Sequence, residues 1–414
     1  MYNFKKRLVS ITSAVAIVMA GANVPEMTFT SYAEEAQKPI VSQKVPGWTF
    51  GIYLCGQDLE SERQNSTNDL IEILKAEVPE GFSKDNNIIV ETGGCRAWHF
   101  KEVYSEYLMN EKGLSEKEVE QIIPNEIDSA KLSQYKVNFE HKYTADDGKV
   151  KTIPTLEFIK DVADYDVSAY VEEDEETEDK RDEETKEKEI NYANMGDEYY
   201  LNAFMEDLDN EFPAEHMALD LWNHGGGIVD GVCFDAYTND GISLMELKSV
   251  LKNRVDEGKD KLDLIGYDAC IMSNYETWVN LSAYAKVGVG SLTDEPGDGW
   301  NYTPFMEKLG KNYNNDSYTA VSLASDIVDA YKDYYTKDSE GYNHILANQI
   351  EIAGAETEED IENIKYDLDS DLSYAMLCAV DLDKIAKTSD DFKKMGDNLF
   401  RAYVDEVRHY EGTH

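Results

Sequence analysis

Short apolar segments that alternate with helical segments constrain the fold of this chain more than any other feature. Residues 49–54 (TFGIYL), 217–222 (MALDLW) and 262–267 (LDLIGY) have the length and apolar content of buried strands. Residues 88–90 and 287–291 are shorter segments of the same kind. Alternation of such strands with helices is typical of βαβ units. We therefore predict an α/β fold, in which helices cover both faces of a mainly parallel sheet.

Two helices between these strands have clear sequence signals. Residues 69–78 (DLIEILKAEV) carry apolar side chains at helical spacing. Ser243 and Glu246 form a capping-box sequence, which predicts a helix that begins there and continues through Leu247 and Leu251.

The charge of the chain limits its partners. It has 84 acidic and 39 basic residues, a formal net charge of -45. Nucleic-acid binding is therefore not expected, because phosphate binding depends on lysine and arginine. Residues 171–189 contain a single apolar residue and are interpreted as an acidic insertion outside the core. A second acidic stretch, residues 351–371, is expected to form an outer helix.

The N-terminus has the layout of an export signal. Three basic residues at 5–7 precede an apolar stretch over residues 8–22, and Ser31-Tyr32-Ala33 is a small-x-small cleavage site. We predict a signal peptide over residues 1–33 and a secreted or cell-surface protein of bacterial type. The alternative is a membrane anchor, but the apolar stretch is shorter than the roughly 20 residues that a spanning helix needs.

The chain has five cysteines and no CxxC pair, so a disulfide scaffold or a cysteine metal site is not expected. The odd number leaves at least one thiol unpaired. An unpaired thiol in an exported protein is a candidate reactive group, and the alternative is a buried cysteine that serves only packing.

Two segments carry residues suited to catalysis: 221–227 (LWNHGGG) and 264–273 (LIGYDACIMS). Each lies at the end of a predicted strand. The carboxyl ends of neighbouring parallel strands meet at one edge of a sheet, so His224 and Cys270 are expected to lie close together. Singly, glycines after a histidine indicate a turn and a strand-end cysteine indicates packing. Their combination favours a catalytic site.

The chemistry explains these residue types. A thiolate is the attacking species, so Cys270 needs a base, and the imidazole of His224 can take its proton and later protonate a leaving amine. A tetrahedral intermediate also needs unobstructed backbone donors, which the amides of Gly225, Gly226 and Cys270 can supply. The pattern predicts a cysteine hydrolase. Neither HExxH nor GxSxG, the motifs of metallo- and serine hydrolases, occurs.

The sequence resembles the clostripain family of cysteine peptidases, part of the caspase-like clan. The resemblance rests on the two catalytic segments, on residues 48–61 (WTFGIYLCGQDLES), on residues 88–95 (IIVETGGC) and on residues 294–302 (DEPGDGWNY). It implies a caspase-like α/β/α sandwich within a catalytic domain over residues 34–414. It also implies cleavage after arginine or lysine, with His224 and Cys270 as the dyad. Residues 312–414 match less clearly and are expected to form a helical decoration.

The resemblance also suggests which acids recognise a basic side chain. Asp298 matches the family's pocket position best, with Asp268 as a second candidate and Asp294 as a weaker one. A carboxylate suits this role because it pairs with a guanidinium in a geometrically selective way. Each acid has an alternative role: Asp298 stands in a turn sequence, and Asp268 can bond local amides.

Activation and cofactors are less defined. Family members are typically zymogens that cut themselves after a basic residue between the dyad members, but residues 225–247 contain no lysine or arginine. Lys180-Arg181 and residues 252–261 are substitute cleavage sites. The sequence requires no cofactor, no metal site is predicted, and calcium is a candidate from the resemblance alone. The alternative function is that of a non-catalytic exported binding protein, which uses its acidic surface for cationic ligands.

Overall fold

The computed structural model describes residues 47–166, 192–389, 391–395 and 401. The predicted signal peptide, the acidic insertion and Lys180-Arg181 lie outside the described residues. Eight strands in the described part form one sheet. They are β1 (Trp48–Cys55), β2 (Asn87–Gly93), β3 (Lys131–Thr144), β4 (Val150–Asp164), β5 (His216–Trp222), β6 (Leu262–Asp268), β7 (Ala285–Ser291) and β8 (Leu377–Asp381).

The five predicted strands form the centre of this sheet. The strand order is β4-β3-β2-β1-β5-β6-β7-β8. Strands β2, β1, β5, β6 and β7 pair in parallel, whereas β3, β4 and β8 pair antiparallel at the two sides. The predicted mainly parallel sheet is confirmed. The sequence did not predict the antiparallel strands at either side.

Helices connect the strands. They are α1 (Gln57–Ser61), α2 (Asn65–Lys75), α3 (Phe82–Asp85), α4 (Phe100–Asn110), α5 (Glu116–Ile122), α6 (Glu198–Glu211), α7 (Gly227–Asp230), α8 (Leu244–Asp256), α9 (Tyr275–Leu281), α10 (Tyr302–Asn312), α11 (Ala320–Tyr335), α12 (Glu340–Ala353), α13 (Glu358–Leu372) and α14 (Leu382–Ala386). Within the described ranges, no helix combines the length and apolar character needed to cross a membrane.

Both faces of the sheet are buried under helices. Along β1, Phe50 and Ile52 face a core shared with α2, α4, α10 and α11, whereas Tyr53 and Cys55 face a core shared with α6, α8 and α9. Successive side chains of a strand point to opposite faces, so an almost continuously apolar strand is what a covered parallel sheet requires. Each fully buried large side chain contributes about 1.5–3 kcal/mol to stability. The predicted α/β/α sandwich is confirmed.

The two predicted helices are present, one with shifted bounds. Ser243 and Glu246 form the predicted capping box: the Glu246 amide donates to the Ser243 hydroxyl at 3.3 Å, and the Glu246 carboxylate accepts from the Ser243 amide at 2.8 Å. Helix α2 begins four residues before the predicted start, because the buried Glu60 carboxylate accepts from the Thr67 amide in its first turn at 2.8 Å. It ends before Ala76, which is extended and lies shortly before Pro79.

The part after residue 312 is more than the predicted helical decoration. Leu323 and Ile327 of α11 are fully buried in the first core. Strand β8 pairs with β7 and extends the sheet. This correction has a physical reason: β8 has five residues and is only partly buried, so it lacks a strong apolar pattern. The acidic stretch over residues 351–371 falls mostly in α13, where Leu368 alone is buried, as expected for an outer helix.

Candidate active site

The loops after β5 and β6 leave the sheet side by side. The two strands are parallel neighbours, and their last residues, Trp222 and Asp268, lie opposite each other. The amide of Asn223 still donates to the Asp268 carbonyl at 3.3 Å. His224 and Cys270 follow within two residues of these points. The sheet therefore brings together the two residues that the sequence singled out, although their catalytic roles stay predictions.

Gly225 packs directly against the backbone of Cys270. A Cβ atom on Gly225 would lie 2.0 Å from the Cys270 carbonyl oxygen, so only glycine fits here. The two glycines differ as hydrogen-bond donors, because the Gly226 amide donates to the Gly231 carbonyl at 2.7 Å. The Gly226 amide is therefore occupied. Within the described ranges, the amides of Gly225 and Cys270 donate to no other group, which leaves these two for an oxyanion.

The imidazole of His224 has a carboxylate partner. Its Nε2 lies 2.8 Å from Oδ1 of Asp58, a residue of α1, which follows β1. Strand β1 pairs with β5 on the side away from β6, so Asp58 and Cys270 come from opposite neighbours of β5. The hydrogen bond to His224 lowers the pKa of Asp58, which keeps this carboxyl ionised. Sequence reasoning missed Asp58, although it stands in the first segment of the family resemblance.

The thiol of Cys270 lies in acidic surroundings. Burial raises its pKa, and the nearby carboxylates of Glu295, Asp294 and Asp268 raise it further. One contact acts the other way: the amide of Glu295 donates to Sγ at 3.1 Å. In this environment the thiol does not ionise easily by itself. Thiolate formation therefore depends on a proton acceptor such as His224.

The residue after Cys270 has a strained backbone. Ile271 has a φ of 49°, in the left-handed region that β-branched residues rarely adopt. Its amide donates to the Thr293 carbonyl at 2.9 Å, which helps to fix this conformation. Such backbone strain costs on the order of 1–3 kcal/mol and is concentrated at functional sites.

A group of carboxyl groups, called the acidic cluster below, lies beside Cys270. Its members are Asp69, Glu72, Asp220, Asp268, Glu295 and Asp298, and charge interactions among them oppose ionisation. Burial raises the pKa of Asp220 and of Glu72 to about 7 in each case. Carboxyl groups this close and this buried hold protons near neutral pH unless a cation neutralises them.

One of the predicted pocket acids lies at the centre of this cluster. Asp268 is 4% exposed, and its carboxyl accepts from the Trp300 amide at 3.2 Å. The Tyr302 hydroxyl lies 2.9 Å from Asp268 and 2.7 Å from Asp220. That hydroxyl has one proton and can donate to only one of them, so the second contact needs a proton on a carboxyl group. Burial accordingly raises the pKa of Asp268.

The other predicted pocket acid, Asp298, lies at the edge of the cluster. Its carboxylate accepts from the Tyr334 hydroxyl of α11 at 3.1 Å, and burial raises its pKa. Asp294, the weaker candidate, is exposed. The bond from Tyr334 places helix α11 against the cluster. The sequence did not predict this role for the C-terminal part.

Glu295 is one of four cluster members that sequence reasoning missed, with Asp69, Glu72 and Asp220. Both of its carboxyl oxygens are buried and have no hydrogen-bond partner of normal geometry. The nearest donors are the Ala269 amide and the indole N–H of Trp300, and they offset only part of the burial that raises its pKa. The buried hydroxyl of Tyr331 also has no partner. Polar groups left without a partner at this depth cost free energy.

The described residues do not define a site for calcium or a site for self-cleavage. In the described part of the chain, no group of three or more His, Cys, Asp or Glu side chains is arranged to hold a metal ion. Calcium stays a prediction from the resemblance. Residues 252–261 overlap the end of α8, where Arg254 is buried against Asp209 at 2.8 Å.

Comparison with known proteins gives one family and several structures. The model of the clostripain family matches residues 52–408, well beyond the part where the resemblance was clear from the sequence. No curated protein matches the chain.

Among solved structures, a secreted C11 cysteine protease from Bacteroides thetaiotaomicron, in complex with an irreversible peptide inhibitor, is 17% identical with a TM-score of 0.45. It aligns over 72% of this chain, which covers 62% of that structure's length. The same organism's secreted C11 protease iotapain is 13% identical, with a TM-score of 0.48 and coverage of 85% and 71%. An inactive zymogen C11 protease from Parabacteroides distasonis is 14% identical, with a TM-score of 0.42 and coverage of 82% and 86%.

Proposed function

The chain belongs to the clostripain family of cysteine peptidases, and on this premise we propose that it is an exported endopeptidase that cleaves after arginine or lysine. Cys270 is the proposed nucleophile and His224 the proposed acid–base. The observation that carries the proposal is the packing of Gly225 against Cys270, which holds the histidine loop on the cysteine backbone. The export signal in residues 1–33 supports secretion.

The proposed reaction has two halves. His224 takes the proton of the Cys270 thiol, and the thiolate attacks the carbonyl carbon to form a tetrahedral oxyanion. The free amides of Gly225 and Cys270 are the candidate donors to this oxygen. The oxyanion then collapses, the C–N bond breaks, and His224 returns the proton to the leaving amine. Water hydrolyses the resulting thioester, with His224 as base, and releases the thiol and the new carboxylate.

Asp58 has a defined part in this scheme. Its carboxylate bonds one ring nitrogen of His224, so the other nitrogen is the one that can serve the thiol. An ionised partner also stabilises the imidazolium that forms when Cys270 loses its proton. Asp58 is therefore proposed as a positioning residue, since it acts on the reaction only through the histidine.

Preference for a basic side chain is supported by the acidic cluster. An arriving guanidinium or ammonium group would replace the protons that Asp268 and its neighbours hold, and it would pair with the oxygens of Glu295, which have no hydrogen bond of normal geometry. An acidic substrate side chain would meet like charges and be excluded. Asp298, at the edge of the cluster, would contact the same side chain closer to solvent. Zymogen activation is proposed from the family, and Lys180-Arg181, outside the described residues, is a candidate cleavage site for it.

Fluorogenic arginyl and lysyl coumarin amides, each paired with an aspartyl analogue, test the proposal. We expect thiol-dependent hydrolysis of the basic amides, and loss of this hydrolysis in Cys270→Ala. Cys378→Ala is the matched control, because Cys378 is the only other cysteine that is not fully buried. Mass spectrometry after brief iodoacetamide treatment should find the label on Cys270 when activity is lost.

Two results would contradict the proposal. Hydrolysis of the arginyl amide by Cys270→Ala at the wild-type rate would remove the cysteine from the reaction. Absence of turnover, together with salt-sensitive binding of polylysine, would instead favour the non-catalytic binding protein, which the charge of -45 also allows.

A further inference from the structure

A patch of exposed apolar side chains lies beside Cys270. Val229 is 82% exposed, Ile228 45% and Ile271 38%. Ile271 follows Cys270 directly, and its side chain lies against Gly227, since a Cβ on that glycine would be 3.8 Å from Cδ1 of Ile271. Ile228 and Val229 are the next residues of α7. Gly227 thus lies against Ile271 and directly precedes Ile228 and Val229, and these three exposed apolar residues are called the apolar patch below.

Nothing in the fold accounts for this patch. None of the three side chains belongs to either core. Apolar surface left in water forgoes about 25 cal/mol per Å² that burial would yield. Ile271 is moreover a β-branched residue in the left-handed region, where glycine or asparagine would be less strained. Exposed apolar residues with a strained backbone, directly next to a candidate nucleophile, are typical of a ligand-contact surface.

The position of the patch identifies the part of the substrate that would contact it. A general acid must reach the leaving nitrogen, so the chain after the scissile bond lies on the side of His224. Helix α7 belongs to the loop that begins with His224, and the patch is therefore on this side. Glu295 and Asp298 of the acidic cluster follow β7, which pairs with β6 on the side away from β5, so the residue before the scissile bond would lie on the other side of Cys270 from His224.

This inference rests on the proposed function: we propose that the apolar patch binds the first residue after the scissile bond and selects an apolar side chain there. An aliphatic side chain would cover Ile228, Val229 and Ile271 and remove their surface from water. A carboxylate at this position would lose hydration against the patch, and it would lie near the exposed Asp230 and the ionised Asp58. Peptides that continue with leucine or isoleucine after the basic residue are the favoured substrates.

The test compares internally quenched peptides that differ only in the residue after a fixed arginine: leucine, glycine or aspartate. An arginyl coumarin amide, which has no residue at that position, is the reference. Each variant's rate on a peptide is divided by its own rate on this amide, so a general loss of activity cancels. The wild-type protein should cleave the leucine peptide at least about tenfold faster than the aspartate peptide.

Charge substitutions on the patch should reverse this order. Val229→Lys should lower the leucine-to-aspartate ratio at least about fivefold, because the new ammonium group pairs with the substrate carboxylate. Ile228→Lys is the second variant, in case the first one fails to fold. Val150→Lys is the matched control. Val150 is also an exposed valine, at 67%, but it lies on β4 at the far side of the sheet. The leucine-to-aspartate ratio of this variant should equal that of the wild type.

The outcomes separate the two proposals. If the wild type cleaves the arginyl amide but cleaves the leucine and aspartate peptides at the same rate, the inference is wrong and the proposed function stands. An unchanged ratio in both patch variants also overturns it. If the arginyl amide itself is not cleaved, the proposed function fails, and the inference fails with it.

Discussion

Glu91→Gln is expected to make the protein more stable at neutral pH and to remove part of its pH dependence. Glu91 lies on β2, directly opposite Gln134 of β3, and both side chains are fully buried. The Gln134 amide nitrogen donates to Oε2 of Glu91 at 2.7 Å, whereas Oε1 of Glu91 and Oε1 of Gln134 have no partner. A proton on Glu91 would let these two oxygens bond each other. The side-chain amide of glutamine supplies the same kind of N–H donor and does not titrate.

The magnitude follows from the pKa. Burial raises the pKa of Glu91 from its ordinary 4.5 to about 8. Between these values the native state keeps a proton that the unfolded chain has released, so its stability falls as the pH rises. The loss is about 1.4 kcal/mol per pH unit, or about 3 kcal/mol at pH 7 relative to low pH. Because Glu91→Gln has no such loss, its stability relative to the wild type should grow by about 2.5 kcal/mol between pH 5 and pH 7.

Urea unfolding, followed by tryptophan fluorescence at pH 5, 6, 7 and 8, measures this difference. A Cys270→Ala background prevents self-digestion during the measurement. Glu91→Leu is the control: it also lacks the ionisable group but offers Gln134 no hydrogen bond across β2 and β3, which leaves Gln134 only its bond to Asp207 at 2.7 Å. It should therefore be less stable than Glu91→Gln by about 1–3 kcal/mol at every pH. If the difference in the free energy of unfolding between Glu91→Gln and the wild type does not change with pH, the reasoning is refuted.

Three further predictions concern the site. Asp58→Asn should lower kcat/KM on the arginyl amide about tenfold, because a charge-assisted hydrogen bond becomes a neutral one, and Asp58→Glu should restore part of it; equal activity of all three proteins would contradict the positioning role. Gly225→Ala should abolish turnover, because its methyl group would overlap the Cys270 carbonyl, and full activity would show that the two loops separate. Glu295→Gln, in a Cys378→Ala background, should shift the pH midpoint of Cys270 alkylation downward, because a carboxylate that raises the thiol's pKa is removed; an unchanged midpoint would exclude this interaction.

The sequence predicted the centre of the fold better than its edges. The central strands are apolar on both faces, so their sequences differ sharply from the helices between them. Most residues of strand β4 are exposed or only partly buried, and β8 has five residues, so neither stands out from its surroundings. Helix α11 has a buried face, but its position depends on tertiary contacts that no local pattern specifies. Its contribution to the site was therefore not predictable from the sequence.

The candidate site also has a part that the sequence predicts and a part that it does not. The proximity of His224 and Cys270 was predictable, because each follows an apolar strand within two residues. Asp58 was not, since it reaches His224 only because β1 and β5 are neighbours in the sheet, although 160 residues separate these strands in sequence. Asp220 did carry a signal, as the only acid inside the apolar strand β5. A lone buried carboxyl in such a strand indicates a functional or strongly perturbed group.

Under the proposed function, the acidic cluster would connect substrate recognition to the ionisation of Cys270. Carboxylates of Glu295 and Asp268 oppose ionisation of the Cys270 thiol, and the same two groups are proposed to receive the basic side chain. At a pH where these carboxyl groups are ionised, a bound guanidinium would neutralise charges that raise the thiol's pKa, so the thiolate would form more easily with the correct substrate in place. Without substrate, the thiol would stay protonated and less open to oxidation or alkylation. Specificity for a basic side chain and control of the cysteine would then have one physical cause.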